Sequence, residues 1–67
     1  MEKAYALFLS VIERCKKDPH IEVYISFSTI TGSGWSSVEK FEYVLRDAGL
    51  YVDYAIVYNA LRISWRP

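Results

Sequence analysis

A turn rich in glycine and serine is the first place in the sequence where chemistry could occur. It reads Thr31-Gly32-Ser33-Gly34-Trp35-Ser36-Ser37 and is expected between a strand and a helix, where backbone N–H groups and the helix dipole can hold an anion. No lysine follows as in a P-loop, and Ser37 replaces the third glycine of a dinucleotide-binding turn. We favour a plain turn with a serine cap. The alternative is an anion site that uses Gly32, Ser33, Gly34 and Ser36.

The two most reactive side chains, His20 and Cys15, have no evident partners for catalysis. His20 is the one histidine, and it follows Asp18 and Pro19 in a loop where the sequence places no nucleophile. Cys15, the one cysteine, falls on the apolar side of an expected helix, where a buried thiol behaves as a small hydrophobic group. We therefore expect no enzymatic activity, no metal site and no cofactor.

The charge balance narrows the classes of partner. Eight Lys and Arg against eight Asp and Glu give a formal net charge of zero, which removes the long-range attraction used by most nucleic-acid and membrane-surface binders. The single cysteine suits a reducing compartment. The apolar run at residues 4–12 has charged residues on both sides and is too short to span a bilayer. We expect a cytoplasmic protein that does not bind membranes.

The first two elements follow from a change in hydrophobic period. Over residues 2–17 apolar side chains recur every three or four positions, which predicts an amphipathic helix. From Ile21 they alternate, with Val23, Ile25 and Phe27 on the side expected to be buried, which predicts a half-buried strand. The other side of this strand would carry Glu22, Tyr24, Ser26, Ser28 and Ile30.

Two local signals mark the beginning and the end of the second helix. Ser36 and Glu39 have the spacing of a capping box, which predicts where the helix begins. Gly49 can adopt the left-handed conformation at low cost, so it is expected to end the helix. Leu50 can then fold back on Leu45 in a Schellman closure.

The last stretch predicts a β-hairpin because its apolar positions change parity. They are even-numbered up to Tyr58 and odd-numbered from Leu61. A two-residue turn at Asn59 and Ala60 would pair Tyr58 with Leu61 and place both apolar stripes on one face. A wider loop or a bulge is the alternative, because alanine is an unusual second residue in such a turn.

Together these elements predict one small α+β domain over residues 1–67, with the order α-β-α-β-β. The hairpin makes the second and third strands neighbours. We favour the third strand at the centre, because antiparallel pairs outnumber parallel ones and the strands alternate in polarity. The expected strand order is 1-3-2, with both helices on one face. The alternative places the first strand beside the second.

The uncovered sheet face or an exposed strand edge is the expected contact surface, and the tyrosine and arginine of that face are residue types enriched in binding hot spots. We predict a small protein-interaction module that forms a homodimer or binds a larger protein as an accessory or inhibitory factor. A solvated face without any partner would account for the same residues. The candidate contact residues are Tyr24, Ser26, Ser28, Tyr51, Val57, Arg62, Ser64 and Arg66.

The alternative function is a single-stranded nucleic-acid-binding or regulatory module. Tyr24 and Tyr51 would stack on bases, and Arg62 and Arg66 would bind phosphates. The zero net charge counts against this function, as does Asp53, which the two-residue turn would place opposite Arg66.

Overall fold

The computed structural model describes residues 2–65 and confirms the α+β class. Over this part of the chain there are three α-helices and one antiparallel sheet of three strands in the predicted order, β1-β3-β2. The elements in chain order are α1 (Glu2–Lys17), β1 (Glu22–Ser26), α2 (Phe27–Gly32), α3 (Val38–Asp47), β2 (Tyr51–Ala55), a 3₁₀ turn (Ile56–Tyr58) and β3 (Ala60–Ser64).

The core lies between the helices and one face of the sheet. α1 packs on β1, α3 packs on β2, and the two helices contact each other. Burying a large apolar side chain contributes about 1.5–3 kcal/mol, and most of this gain is offset by the conformational entropy that the chain loses. The buried residues of the core are Val11, Cys15, Val23, Ile30, Phe41, Leu45, Leu50, Val52, Leu61 and Ile63.

The first strand is shorter than predicted, and α2 replaces its second half. Ser26 caps this helix, because its Oγ accepts a hydrogen bond from the Thr29 N–H at 3.2 Å. Phe27 and Ile30 are three residues apart, so one helical turn directs both toward the core, where Ile30 is fully buried. The prediction that Ser28 and Ile30 lie on the open sheet face is therefore wrong.

The predicted closure at the end of α3 is confirmed. Gly49 has a φ of +95°, and its N–H donates to the Arg46 carbonyl at 3.0 Å. The Leu50 N–H donates to the Leu45 carbonyl at 3.1 Å. These are the two hydrogen bonds of a Schellman closure, and they turn the chain from α3 into β2.

The hairpin has the predicted faces but a different register. Residues 56–59 form a four-residue connection between β2 and β3, and Asn59 is left-handed, with φ +52° and ψ +47°. Asp53 pairs with Arg62, and Arg66 lies outside the described residues. The register is thus four residues away from the predicted one. The side chains that remain in β2 and β3 keep their faces because strand side chains alternate with a period of two.

Candidate protein-contact surface

The face of the sheet opposite the helices is open and consists of three rows. Tyr24 and Tyr51, on the two edge strands, are 46% and 49% exposed, whereas Ala60 in the centre is buried. Tyrosines therefore lie on both edges of this face. The rows across β1, β3 and β2 are Glu22, Ser64 and Tyr51, then Tyr24, Arg62 and Asp53, then Ser26, Ala60 and Ala55.

The structure groups most of the candidate contact residues and separates the others. Ser28 lies in α2, Val57 lies in the 3₁₀ turn, and Arg66 falls outside the described part of the chain. The candidate residues that share the open sheet face are Tyr24, Ser26, Tyr51, Arg62 and Ser64.

Arg62 is engaged by its neighbours in the middle row. Its Nη2 donates to Asp53 Oδ2 at 2.8 Å. The hydrogen bond to Asp53, followed by one with Tyr24, raises the pKa of Arg62 above its usual value. A guanidinium that already serves a carboxylate is a weaker ligand for an external phosphate.

The loop at the end of the hairpin exposes three consecutive apolar side chains, of which Val57 is a predicted contact residue and the other two were expected to be buried. Ile56, Val57 and Tyr58, called the apolar loop below, are 72%, 89% and 69% exposed. The Asn59 N–H donates to the Ile56 carbonyl at 3.0 Å, which closes the 3₁₀ turn. The two-residue turn placed Ile56 and Tyr58 on the buried stripe. The poor turn preference of Ala60 was the signal for this wider loop.

An aromatic contact joins the apolar loop to the open sheet face. The rings of Tyr58 and Tyr24 meet edge to face, with centroids 5.8 Å apart and planes at 88°. Beside them lies a shallow depression of about 480 Å³, lined by these tyrosines with Ser26 and Ala60. The apolar loop and the β1 side of the sheet therefore form one continuous surface.

The opposite edge of the sheet is tied to α3. The Arg46 Nη2 donates to the Val52 carbonyl at 2.8 Å, and its Nε donates to Glu42 at 2.8 Å. A charged side chain therefore covers part of the β2 edge, which is one way in which natural sheets discourage pairing with another chain.

His20 and Cys15 lie in different surroundings. His20 is exposed and borders an open depression of about 670 Å³ together with Tyr51, Asp53 and Arg62. Cys15 is fully buried in the core, and burial raises the pKa of its thiol. Within residues 2–65 there is no cluster of three or more His, Cys, Asp or Glu side chains placed to bind a metal ion.

The glycine- and serine-rich turn follows α2 instead of a strand. Gly32 ends that helix, and the N–H groups of Ser33 and Gly34 each donate to an α2 carbonyl at 3.1 Å. The cap of α3 is Ser37, whose Oγ accepts from a backbone N–H at 3.2 Å, and not Ser36 as predicted. These donors are already used inside the chain, so we base no proposal on anion binding.

Trp35 attaches this turn to the first helix. Its Nε1 donates to the Ala4 carbonyl at 3.1 Å, and its ring meets Phe41 with centroids 5.0 Å apart. The turn thus has a visible structural role, which is to hold the start of α3 against α1.

The remaining observations concern the chain as a whole. None of the helices in the described range is long and apolar enough to cross a membrane. Comparison with protein-family models, with curated proteins and with solved structures finds no match. Function must therefore be inferred from the surface that the chain itself presents.

Proposed function

We propose that this chain is a protein-interaction module whose contact surface joins the open sheet face to the apolar loop. The observation that carries the proposal is the run Ile56, Val57 and Tyr58, which projects into solvent. Contiguous exposed apolar side chains are uncommon on monomeric proteins and typically mark binding surfaces. Their burial against a partner contributes about 25 cal/mol for each Å² removed from water.

The chemistry of the surface favours recognition of another protein by shape. Tyr24, Tyr51 and Tyr58 are exposed, and tyrosine is a common anchor residue in protein interfaces. The chain has no formal net charge, so long-range attraction contributes little to the choice of partner. The partner is a second copy or a larger protein on which this domain acts as an accessory or inhibitory factor. The single buried cysteine supports a reducing compartment such as the cytoplasm.

Single-stranded nucleic acid is the less favoured partner. The tyrosines could still stack on bases, but the hydrogen bond between Arg62 and Asp53 reduces the capacity of this face to bind phosphate.

Photo-crosslinking from the apolar loop tests the proposal. p-Benzoylphenylalanine would replace Tyr58 in one variant and Tyr43 in a matched control, because these side chains are 69% and 74% exposed and Tyr43 lies on α3, away from the proposed surface. We expect a protein adduct from position 58 that disappears when Val57→Asp is added, and no such adduct from position 43.

Two outcomes would contradict the proposal. Equal labelling from the two positions would show nonspecific contact. An adduct at position 58 whose added mass is removed by nuclease would favour the nucleic-acid alternative.

A further inference from the structure

The two edges of the sheet differ in whether they can accept another strand. β1 and β2 are the edge strands, since β3 lies between them. In an antiparallel ladder the backbone N–H and C=O groups of alternate residues point toward the neighbouring strand, and those of the residues between them point away. Individual hydrogen bonds of the edge strands show which residues point their backbone groups away from the sheet.

On β1 the even-numbered residues point their backbone groups outward. The Phe27 N–H, directly after this strand, donates to the Asn59 carbonyl at 2.8 Å in the register of the β1–β3 ladder. By alternation, the odd-numbered residues of β1 bond to β3. The residues whose N–H groups point away from β3 are therefore Glu22, Tyr24 and Ser26.

On β2 the same alternation directs the backbone of Val52 outward, and this edge is partly covered. The Val52 carbonyl accepts a hydrogen bond of 2.8 Å from Arg46, as expected for a carbonyl that points away from β3. In the described part of the chain no side chain forms a comparable bond with the outward backbone groups of Glu22 or Tyr24. The β1 edge is therefore the one that is available for strand pairing.

We propose that a second copy of this chain pairs its β1 antiparallel to this edge, about a two-fold axis through Tyr24, and extends the sheet to six strands. This inference rests on the proposed protein-binding function, for which it names one partner. In this register Tyr24 lies opposite Tyr24 of the second copy, and Glu22 lies opposite Ser26. The Ser26 N–H then meets the Glu22 carbonyl of the second copy, whereas the Ser26 carbonyl stays bonded within the first turn of α2. The two Glu22 carboxylates stay apart.

Three features favour a second copy over an unrelated strand. The five-residue β1 is self-complementary about its central residue, as an isologous interface requires. The zero formal net charge leaves no overall repulsion between copies. The Tyr24–Tyr58 ring pair would also meet its symmetry mate on the open face, which adds aromatic contacts to the backbone hydrogen bonds.

Light scattering during size-exclusion chromatography, over a series of concentrations, tests the pairing. We expect the wild type to approach twice the chain mass of 7.8 kDa. Tyr24→Lys should weaken the dimer at least about tenfold, because lysine on an edge strand opposes pairing. Tyr43→Lys is the matched control, since it changes an exposed tyrosine on α3, outside the sheet, and it should leave the dimer intact.

A rescue experiment tests the symmetric register. Position 24 faces itself across the proposed axis, so an equal mixture of Tyr24→Lys and Tyr24→Glu should form a mixed dimer that is tighter than the dimer of either variant alone. Hydrogen exchange of the wild type gives a second measurement that needs no substitution. The Tyr24 amide should exchange more slowly as concentration rises, whereas the outward-facing Tyr54 amide of β2 should not change.

The outcomes separate this inference from the proposed function. A mass of one chain at every concentration, with no change at the Tyr24 amide, overturns the second copy as partner. A dimer that survives Tyr24→Lys overturns the edge pairing. In both cases a specific adduct from position 58 with a different protein would still support the interaction module.

Discussion

The Tyr54 hydroxyl donates a hydrogen bond to Glu42 Oε1 at 2.9 Å. The other oxygen of this carboxylate accepts from Arg46 at 2.8 Å, so one side chain of α3 joins a strand residue to a helix residue. Burial, followed by the hydrogen bond to Glu42, raises the pKa of Tyr54 above its usual value of 10.0. This contact thus favours the neutral phenol in the folded state.

The pH dependence of this contact follows from the direction of the shift. Because the pKa is higher in the folded state, the contribution to stability is present below the unfolded pKa and is lost as pH rises through the folded pKa. We predict that Tyr54→Phe removes a phenol that ionises above pH 10, measured by ultraviolet absorbance of the phenolate. Tyr51→Phe should leave that transition in place, and alkaline titrations of Tyr51→Phe and Tyr54→Phe that coincide would refute the assignment.

Arg46→Met should destabilise the fold by about 1 kcal/mol, because it removes hydrogen bonds to Val52 and Glu42 while keeping an apolar stem. The value is modest because the Arg46 side chain is 53% exposed and its ion pair is screened by water. Urea denaturation measures this change. Lys40→Met, which alters an exposed lysine on the same helix, should stay within about 0.5 kcal/mol of the wild type. Equal losses for the two variants would show that Arg46 has no specific role.

The left-handed conformation of Asn59 predicts a clear order of substitutions. Its φ of +52° is unfavourable for a residue with a Cβ, so Asn59→Ala should cost about 1 kcal/mol, whereas Asn59→Gly should be neutral or stabilising. For a domain of this size 1 kcal/mol corresponds to a shift of about 4–8 °C in Tm. Thermal melting followed by circular dichroism checks the order, and an alanine variant as stable as the glycine variant would contradict it.

Truncation to alanine should reduce the free energy of unfolding strongly at Leu61 and hardly at all at Val57. Leu61 is fully buried in the central strand, so Leu61→Ala should cost about 2–5 kcal/mol. That is comparable with the whole stability expected of so small a domain, at about 5 kcal/mol. Val57 is 89% exposed, so Val57→Ala should change the free energy of unfolding by less than about 0.5 kcal/mol. A large loss at Val57 would mean that the apolar loop serves folding and not binding.

Much of the fold could be predicted from the sequence, because many of its signals are local. α1 spans residues 2–17 as its periodicity indicates, and the closure at Gly49 depends on groups within five residues of each other. The strand order followed from one hairpin and the preference for antiparallel pairs. The uncovered face with Tyr24, Tyr51 and Arg62 followed in turn, since alternation assigns side chains to faces without knowledge of the exact register.

Tertiary packing decided the features that local patterns leave equivalent. Phe27 and Ile30 are compatible with a strand or with a helical turn, and the turn forms in a structure where Ile30 is buried against the core. A hairpin slip of four residues leaves each side chain that stays in a strand on its face, so the alternation within the strands cannot distinguish a two-residue turn from the connection at residues 56–59. That slip places Ile56 and Tyr58 in solvent, and the contact surface proposed for this protein depends on it.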